Sequence, residues 1–296
     1  MTIKRFFCIS LPYIISLIFI SAIDRSANID LFGILVRTII SGTVLLLFFA
    51  FLYSIWLDNK KIGSDMKLSD WITDYAHLIK GATLMFLYRK PPSHYLNYIL
   101  EGKVPVIILP GIFGTWSFLK PLGDKISLEG HPVYIVPKLG INISDIPSSA
   151  KRVRELIDEE NFKNVVIIAH SKGGLIAKYM LAYDNKDNCI KGLVSIATPF
   201  SGSAMAELLP FSPLRELTHN SDVVKRLIGQ VSVNKRIISI SPSADNAVWS
   251  KEGSFLEGAL DNITVSAKGH HKIIYEKRIV DEVINSIDRL SKIEMD

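Results

Sequence analysis

Ser171 lies in the run Ala169-His170-Ser171-Lys172-Gly173-Gly174, directly after the apolar segment Val165 to Ala169 and directly before the helical pattern Gly173 to Tyr183. A strand that turns at once into a helix forces its middle residue into a strained backbone conformation, so the residues two positions either side must lack bulk. Ala169 and Gly173 meet that demand. Such a turn lifts the Ser171 hydroxyl above a sheet edge, beside the positive end of the new helix, where a serine can attack an acyl group. A bare A-x-S-x-G match is common by chance, and its placement between strand and helix is what makes it informative. The alternative is that Ser171 only caps the helix.

An attacking serine needs fixed N–H donors for the oxyanion, a base, and an acid that orients the base. The loop Leu109-Pro110-Gly111-Ile112-Phe113-Gly114 closes the first apolar run, and its glycines let backbone N–H groups approach a ligand. Ile112 N–H (or Phe113 N–H) is one candidate donor, and Lys172 N–H is the other. An ordinary strand-end turn is the alternative for this loop. Of the seven histidines, His270 and His271 follow the last apolar run, where a base should sit. Gly269 before the pair and Ile273-Ile274 after it favour His270 as the residue turned into the site, with His271 exposed. His170 is expected to shape the elbow, and His77, His94, His131 and His219 to be surface or packing residues. The orienting carboxylate is expected at Asp245, in the loop Ser241 to Val248 after the fifth apolar run. Asp222, in a cap region, and Asp261, at the start of a strand and so on the wrong edge, are its rivals.

The elements that must hold these residues alternate along the chain. Val104 to Leu109, Pro132 to Val136, Val165 to Ala169, Cys189 to Ile196, Arg236 to Ile240 and Asn262 to Ala267 read as strands buried on both faces. Helices are expected over Phe118 to Glu129, Ile146 to Glu160 (starting at Ser148-Ser149), Gly173 to Tyr183 and Ile279 to Ile293. The alternation predicts an α/β fold: a doubly wound, mainly parallel sheet with helices on both faces and the site at the strand C-termini. Pro199 to Gln230 is a long insertion rich in Leu208, Leu209, Phe211, Leu214 and Leu217. It reads either as an apolar cap over an acyl pocket or as simple core packing.

The chain is 296 residues long, 48% hydrophobic and 21% charged. Much of the apolar excess falls before residue 58. Phe6 to Ile23 and Thr38 to Leu57 carry no charge, and at about 1.5 Å of rise per residue each can cross a hydrocarbon core of roughly 30 Å. A transmembrane helical hairpin is therefore expected over residues 1–57. Lys4, Arg5, Lys60, Lys61 and Lys67 flank it, which puts both ends, and the remainder of the chain, on the cytoplasmic side. A cleaved signal peptide ending at Ala22 is the rival, with a poor cleavage match. Residues 58–102 read as an amphipathic linker whose helix either lies at the bilayer surface or packs on the domain of residues 103–296. Two cysteines, Cys8 and Cys189, make no disulfide framework. A net charge of +5 without a basic run gives no sign of nucleic-acid binding.

Several segments together resemble the α/β-hydrolase family, in particular its bacterial lipase/esterase-like branch: LPGIFG (109–114), AHSKGG (169–174), ATPFSGS (197–203), SPSAD (241–245) and GHHKI (269–273). The resemblance covers about residues 103–293, and the order Ser171, Asp245, His270 is that family's order. It implies an α/β-hydrolase fold and a Ser171–Asp245–His270 triad, with Ile112 and Lys172 as oxyanion donors and residues 199–230 as the cap. Pro110, where relatives often carry His, and Lys172, where many carry an apolar residue, are departures that leave the substrate open. The expected activity is carboxylic ester hydrolysis through an acyl-enzyme. It implies no metal or cofactor. Expected partners are the lipid bilayer, of the bacterial inner membrane, and a small ester or lipid substrate. An acyltransferase or thioesterase with the same triad, or a non-catalytic membrane scaffold, are the alternatives.

Overall fold

Runs of β-branched residues without polar breaks are most stable where helices cover both of their faces. In the computed structural model six such runs pair into one sheet in the order β2-β1-β3-β4-β5-β6. The strands are β1 (Val106–Leu109), β2 (Val133–Ile135), β3 (Val165–His170), β4 (Ile190–Ile196), β5 (Ile237–Ala244) and β6 (Asp261–Lys268). Every neighbouring pair is parallel. The structure describes residues 65–208, 211–248 and 253–293. The unit formed by Asp65–Glu207 and Phe211–Asp296 carries the sheet and the candidate site. The hairpin expected over residues 1–57 lies outside the described residues. Among the described residues no helix is long and apolar enough to cross a membrane.

The helices are α1 (Leu68–Leu87), α2 (His94–Asn97), α3 (Lys120–Leu128), α4 (Ile146–Glu159), α5 (Lys172–Tyr183), α6 (Ala204–Leu208), α7 (Asp222–Ile228) and α8 (Lys277–Ser291). Side chains alternate across a strand. Val166, Ile168, Val194, Ile196, Ile238 and Ile240 point to one face, in a core shared with Leu122 and Ile126 of α3 and Ile279, Val283, Ile287 and Leu290 of α8. The opposite face is covered by α5, which packs on β3 and β4 and against α4. The sheet is thus clothed on both sides, as the alternation predicts.

Most element ends shift by one or two residues from the sequence reading, and two differences have a clear physical cause. Strand β5 continues through Ser241 to Ala244, because β6 runs alongside that far: Ser243 Oγ donates to Ala267 O at 2.9 Å. Pro242 is tolerated because β4 pairs with β5 only as far as Ile240, leaving no carbonyl waiting for a donor on that side. Helix α4 is capped by Asp145 rather than by Ser148 or Ser149, with Asp145 Oδ1 accepting from Ser148 N at 2.7 Å.

Helix α1 falls within residues 58–102, for which two readings were open. It packs on the short turn Trp116–Leu119 and on the turn Lys272–Tyr275, burying Trp71, Asp74 and Gly81. Its opposite face leaves Leu68, Ile72, Ile79 and Phe86 exposed.

Because Trp71 is almost wholly buried, Trp71→Ala should lower the unfolding free energy by about 3–5 kcal/mol. Urea unfolding followed by far-UV circular dichroism checks this. A loss below about 1 kcal/mol would show that α1 is not integral to the domain.

Candidate active site

The sheet order reverses at β1, which has β2 on one side and β3 on the other. At such a switch point the loops leaving neighbouring strands diverge and open a crevice at their C-terminal ends. The loop 110–115 leaves β1 there, and Ser171 follows β3 there. Ser171 has φ 53° and ψ −122°, a conformation that L-residues rarely adopt and that costs of the order of 1–3 kcal/mol. It is held by Ser171 N donating to Ile196 O at 2.9 Å and Gly174 N donating to Ser171 O at 3.0 Å. A Cβ added to Gly173 would lie 2.6 Å from Leu109 O. The small residue demanded on that side of the elbow is therefore demanded by the backbone of β1.

Asp245 and His270 are brought into direct contact. His270 Nδ1 lies 2.9 Å from Asp245 Oδ2 and 3.1 Å from Oδ1, with both side chains nearly buried. The carboxylate is aimed by its own loop, since Asp245 Oδ1 accepts from Ala247 N at 2.7 Å and Val248 N at 2.8 Å. An ionised carboxylate only accepts, so His270 carries its proton on Nδ1 and presents Nε2 as the basic nitrogen. Burial opposes the imidazolium, but the charge and hydrogen bond of Asp245 outweigh it and hold the His270 pKa above its ordinary value. Of its rivals, Asp261 pairs with Arg289 at 2.6 Å at the start of β6, and Asp222 begins α7 in the inserted segment.

Ser171 reaches this pair through its neighbour. His170 Nε2–H donates to His270 O at 3.0 Å, and the two rings lie 4.7 Å apart. Burial, with the nearby His270 and His271, pushes the His170 pKa well below its ordinary value. A neutral ring is suited to that donor role, so His170 ties the elbow to the histidine loop. Ser171 Oγ itself makes no hydrogen bond with His270. Catalytic contacts of this kind commonly tighten only when substrate binds.

The proposed oxyanion donors belong to the loop after β1 and to the first residue of α5, and a Cβ added to Gly111 would lie 3.1 Å from Ser171 Cβ. The backbone N–H groups of Ile112 and Lys172 pair with no acceptor among the described residues. Phe113, the other donor considered, has φ 59°. The Lys172 side chain is fully buried, and its Nζ donates to Asn142 O at 3.3 Å and to Ser144 O. Burial pulls its pKa down, against the pull of Glu216, whose carboxylate lies 3.9 Å away. Glu216 belongs to the inserted segment, where Leu214, Leu217, Val224 and Leu227 are buried. Phe211 meets Phe113 edge-to-face at 6.4 Å, so this segment reaches the loop after β1. Leu209 lies outside the described residues.

One expectation fails. His271 is not exposed: it retains only 19% of its side-chain accessibility, with Nδ1 2.8 Å from Asp74 Oδ2. The reason is a buried carboxylate that the sequence reading passed over. Asp74 Oδ1 accepts from His271 N at 2.7 Å and Lys272 N at 2.8 Å, and Oδ2 also accepts from Asn246 Nδ2 at 2.9 Å. Burial works against the charged form, but these donors, His271 first, hold its pKa well below the carboxylate range. The signal was available: Trp71, Asp74, Leu78 and Gly81 share one face of α1 at helical spacing, and a carboxylate on the inward stripe must have donors waiting. Among the described residues no group of three or more His, Cys, Asp or Glu side chains could hold a metal ion.

Comparison with known proteins agrees with this architecture. The family profile described as "PGAP1-like alpha/beta domain" matches residues 142–290, half of the chain, a span that includes Ser171, Asp245 and His270. A triacylglycerol lipase of Burkholderia plantarii is 24% identical over 142 residues, which are 44% of this chain and 39% of that protein. The match thus spans about two fifths of that relative's length. Among solved structures, the mature form of Bacillus licheniformis lipase BlEst2 superposes with a TM-score of 0.51 at 14% identity, over 66% of this chain and 95% of that one. A structure described under the metagenome-derived lipolytic enzymes LipS and LipT gives 0.50 at 13% identity, over 65% and 96%. The shared fold is that of the α/β hydrolases.

The two buried histidines of the site should titrate in opposite directions. NMR of ring-labelled protein should place the His270 midpoint above about 6.5, moving down in Asp245→Asn, while His170 stays neutral well below that value. Linkage then gives opposite pH trends. The stabilising contribution of His270 is full below the unfolded midpoint and is lost as pH rises through the folded one. That of His170 is full above the unfolded midpoint and is lost as pH falls through the folded one. A His270 midpoint at or below the free-imidazole value would contradict this electrostatic picture.

Proposed function

The chain belongs to the PGAP1-like α/β domain family, and on that premise we propose that it is a membrane-anchored serine hydrolase that cleaves carboxylic esters, with lipid-like esters as its substrates. The observation that carries the reading is the buried Asp245–His270 pair set at the same sheet edge as a serine in a strained strand-to-helix turn.

In this mechanism His270 Nε2 takes the proton from Ser171 Oγ as the oxygen attacks the ester carbonyl. Asp245 holds the ring in the tautomer that leaves Nε2 free and stabilises the imidazolium that forms. The tetrahedral oxyanion is received by the N–H groups of Ile112 and Lys172, which are fixed before the reaction and need no reorganisation. His270 then returns the proton to the departing alcohol, leaving an acyl group on Ser171. Water, activated by the same imidazole, releases the acid.

Attachment to a bilayer by residues 1–57 supports lipid-like substrates, because it raises their effective concentration at the site. The basic flanks of that segment support a cytoplasmic position for the hydrolase domain. The inserted segment 199–230 is proposed as the cap over the acyl pocket, and the Phe211–Phe113 contact supports this by bringing it to the oxyanion loop.

A fluorophosphonate probe should label the purified full chain at Ser171, and Ser171→Ala should abolish labelling. Turnover of p-nitrophenyl esters should fall about 10⁶-fold in Ser171→Ala and His270→Ala and about 10⁴-fold in Asp245→Asn. Folded wild-type protein that resists the probe and hydrolyses no ester of any chain length would sink the proposal.

A further inference from the structure

Two carboxylates, not one, hold the histidine loop. Asp245 comes from the end of β5 and takes the His270 ring. Asp74 comes from α1, far away in sequence, and takes the loop's backbone. An ionised carboxylate has about four lone-pair sites. Asp74 has four donors, two on each oxygen: His271 N and Lys272 N on Oδ1, His271 Nδ1 and Asn246 Nδ2 on Oδ2. Asn246 carries the connection on to the base, for its Oδ1 accepts from His270 N at 2.9 Å. Asn246 is also the residue after Asp245, so one amide lies between the two carboxylates.

We infer that Asp74 is a positioning residue for the catalytic base: its carboxylate fixes the backbone of residues 270–272 and the Asn246 amide, and so sets where the His270 ring stands relative to Ser171. The inference rests on the serine-hydrolase reading above and adds to it a residue outside the triad and outside the family match at residues 142–290.

The loop is shaped to admit this carboxylate. Gly269 has φ +127°, and a Cβ added there would lie 2.4 Å from Asp74 Oδ1. No side chain fits between the end of β6 and α1, and the carboxylate fills that space. His271 Nδ1 is committed to Asp74, and its ring stands 6.3 Å from that of His170, against 4.7 Å for His270. The pair Asp74–His271 therefore acts as a support for the loop, and His270 keeps the position nearer the elbow. The charge of Asp74 acts in the same direction, adding to that of Asp245 in favouring the His270 imidazolium. The ionisable groups that face His270 are Asp245 from β5, His170 from β3, His271 from its own loop and Asp74 from α1.

The test uses the purified full chain in detergent and a soluble p-nitrophenyl ester, measured from pH 5 to 9 alongside the thermal midpoint. Asp74→Asn should lower kcat at least about tenfold with KM within about twofold, the pattern of a misplaced base rather than of lost binding. Its acid limb should move to lower pH, because removing a negative charge makes the His270 imidazolium less stable. Removing a buried, paired charge also destabilises a fold, so Asn246→Ala provides a second route to the same loop. It should reproduce the kcat loss, and the double variant should lose no more than the larger single loss, since both act through one network. Folded Asp74→Asn or Asn246→Ala with wild-type kcat would overturn the inference, as would an Asp74→Asn acid limb that does not move. So would a kcat loss fully accounted for by the unfolded fraction. Activity that survives His270→Ala but not His271→Ala would overturn it too, by making Asp74–His271 the working pair. If wild-type protein neither labels at Ser171 nor turns over ester, the serine-hydrolase reading itself fails, and the role of Asp74 falls with it.

Discussion

A serine held at positive φ between a strand and a helix constrains everything around it. The turn at Ser171 is tight enough that β1 passes within contact distance of Gly173, so any side chain there would meet the carbonyl of Leu109. That closeness brings the loop after β1 to the same crevice as Ser171. The first N–H groups of α5, which lack partners within the helix, come directly after Ser171. The strain is of the order of 1–3 kcal/mol, and it is sustained because the buried sheet on both sides over-determines the backbone. A less deeply packed sheet would let the turn relax and lower the hydroxyl back toward the strand.

The electrostatics of the site follow from crowding three imidazoles at one sheet edge. His170, His270 and His271 have ring centres within 6.3 Å of one another, and three imidazolium ions at that spacing would repel strongly. The structure resolves the conflict by giving two of the rings a carboxylate each and the third none. His170, without a carboxylate, stays neutral and spends its N–H on a backbone carbonyl. His270, with Asp245, is raised toward the range in which a base works. Each ring's role is thus set by which element faces it.

Much of this was legible in the sequence, because the signals were local. Six apolar runs gave six strands, since a run buried on both faces cannot be broken by a polar residue without cost. The elbow was legible because Ala169, Ser171 and Gly173 each answer a steric demand of the same turn. Asp245 and His270 were found by their place after strands, and they meet in the structure. The extra length of β5 escaped because Ser, Pro and Ala read as a loop, and only the neighbouring β6 makes them a strand. Asp74 escaped for a related reason. Its role depends on a contact across 197 residues, and α1 was read only as an amphipathic helix, without asking which element would meet the charge on its inner face. His271 was misjudged in consequence, because its exposure could be assessed only once the partner on α1 was known.

The side chain of Lys172 links two regions that would otherwise be independent. Its ammonium is anchored to carbonyls of residues 142 and 144 on one side and faces Glu216 of the inserted segment on the other, while its amide directly follows Ser171. Glu216 in turn accepts from Ile146 N at 3.0 Å, at the start of α4. Moving residue 216 away would therefore strip a buried cation of its nearest countercharge. The inserted segment is therefore held to the rest of the domain by the cost of leaving that ammonium unneutralised, as well as by its buried leucines.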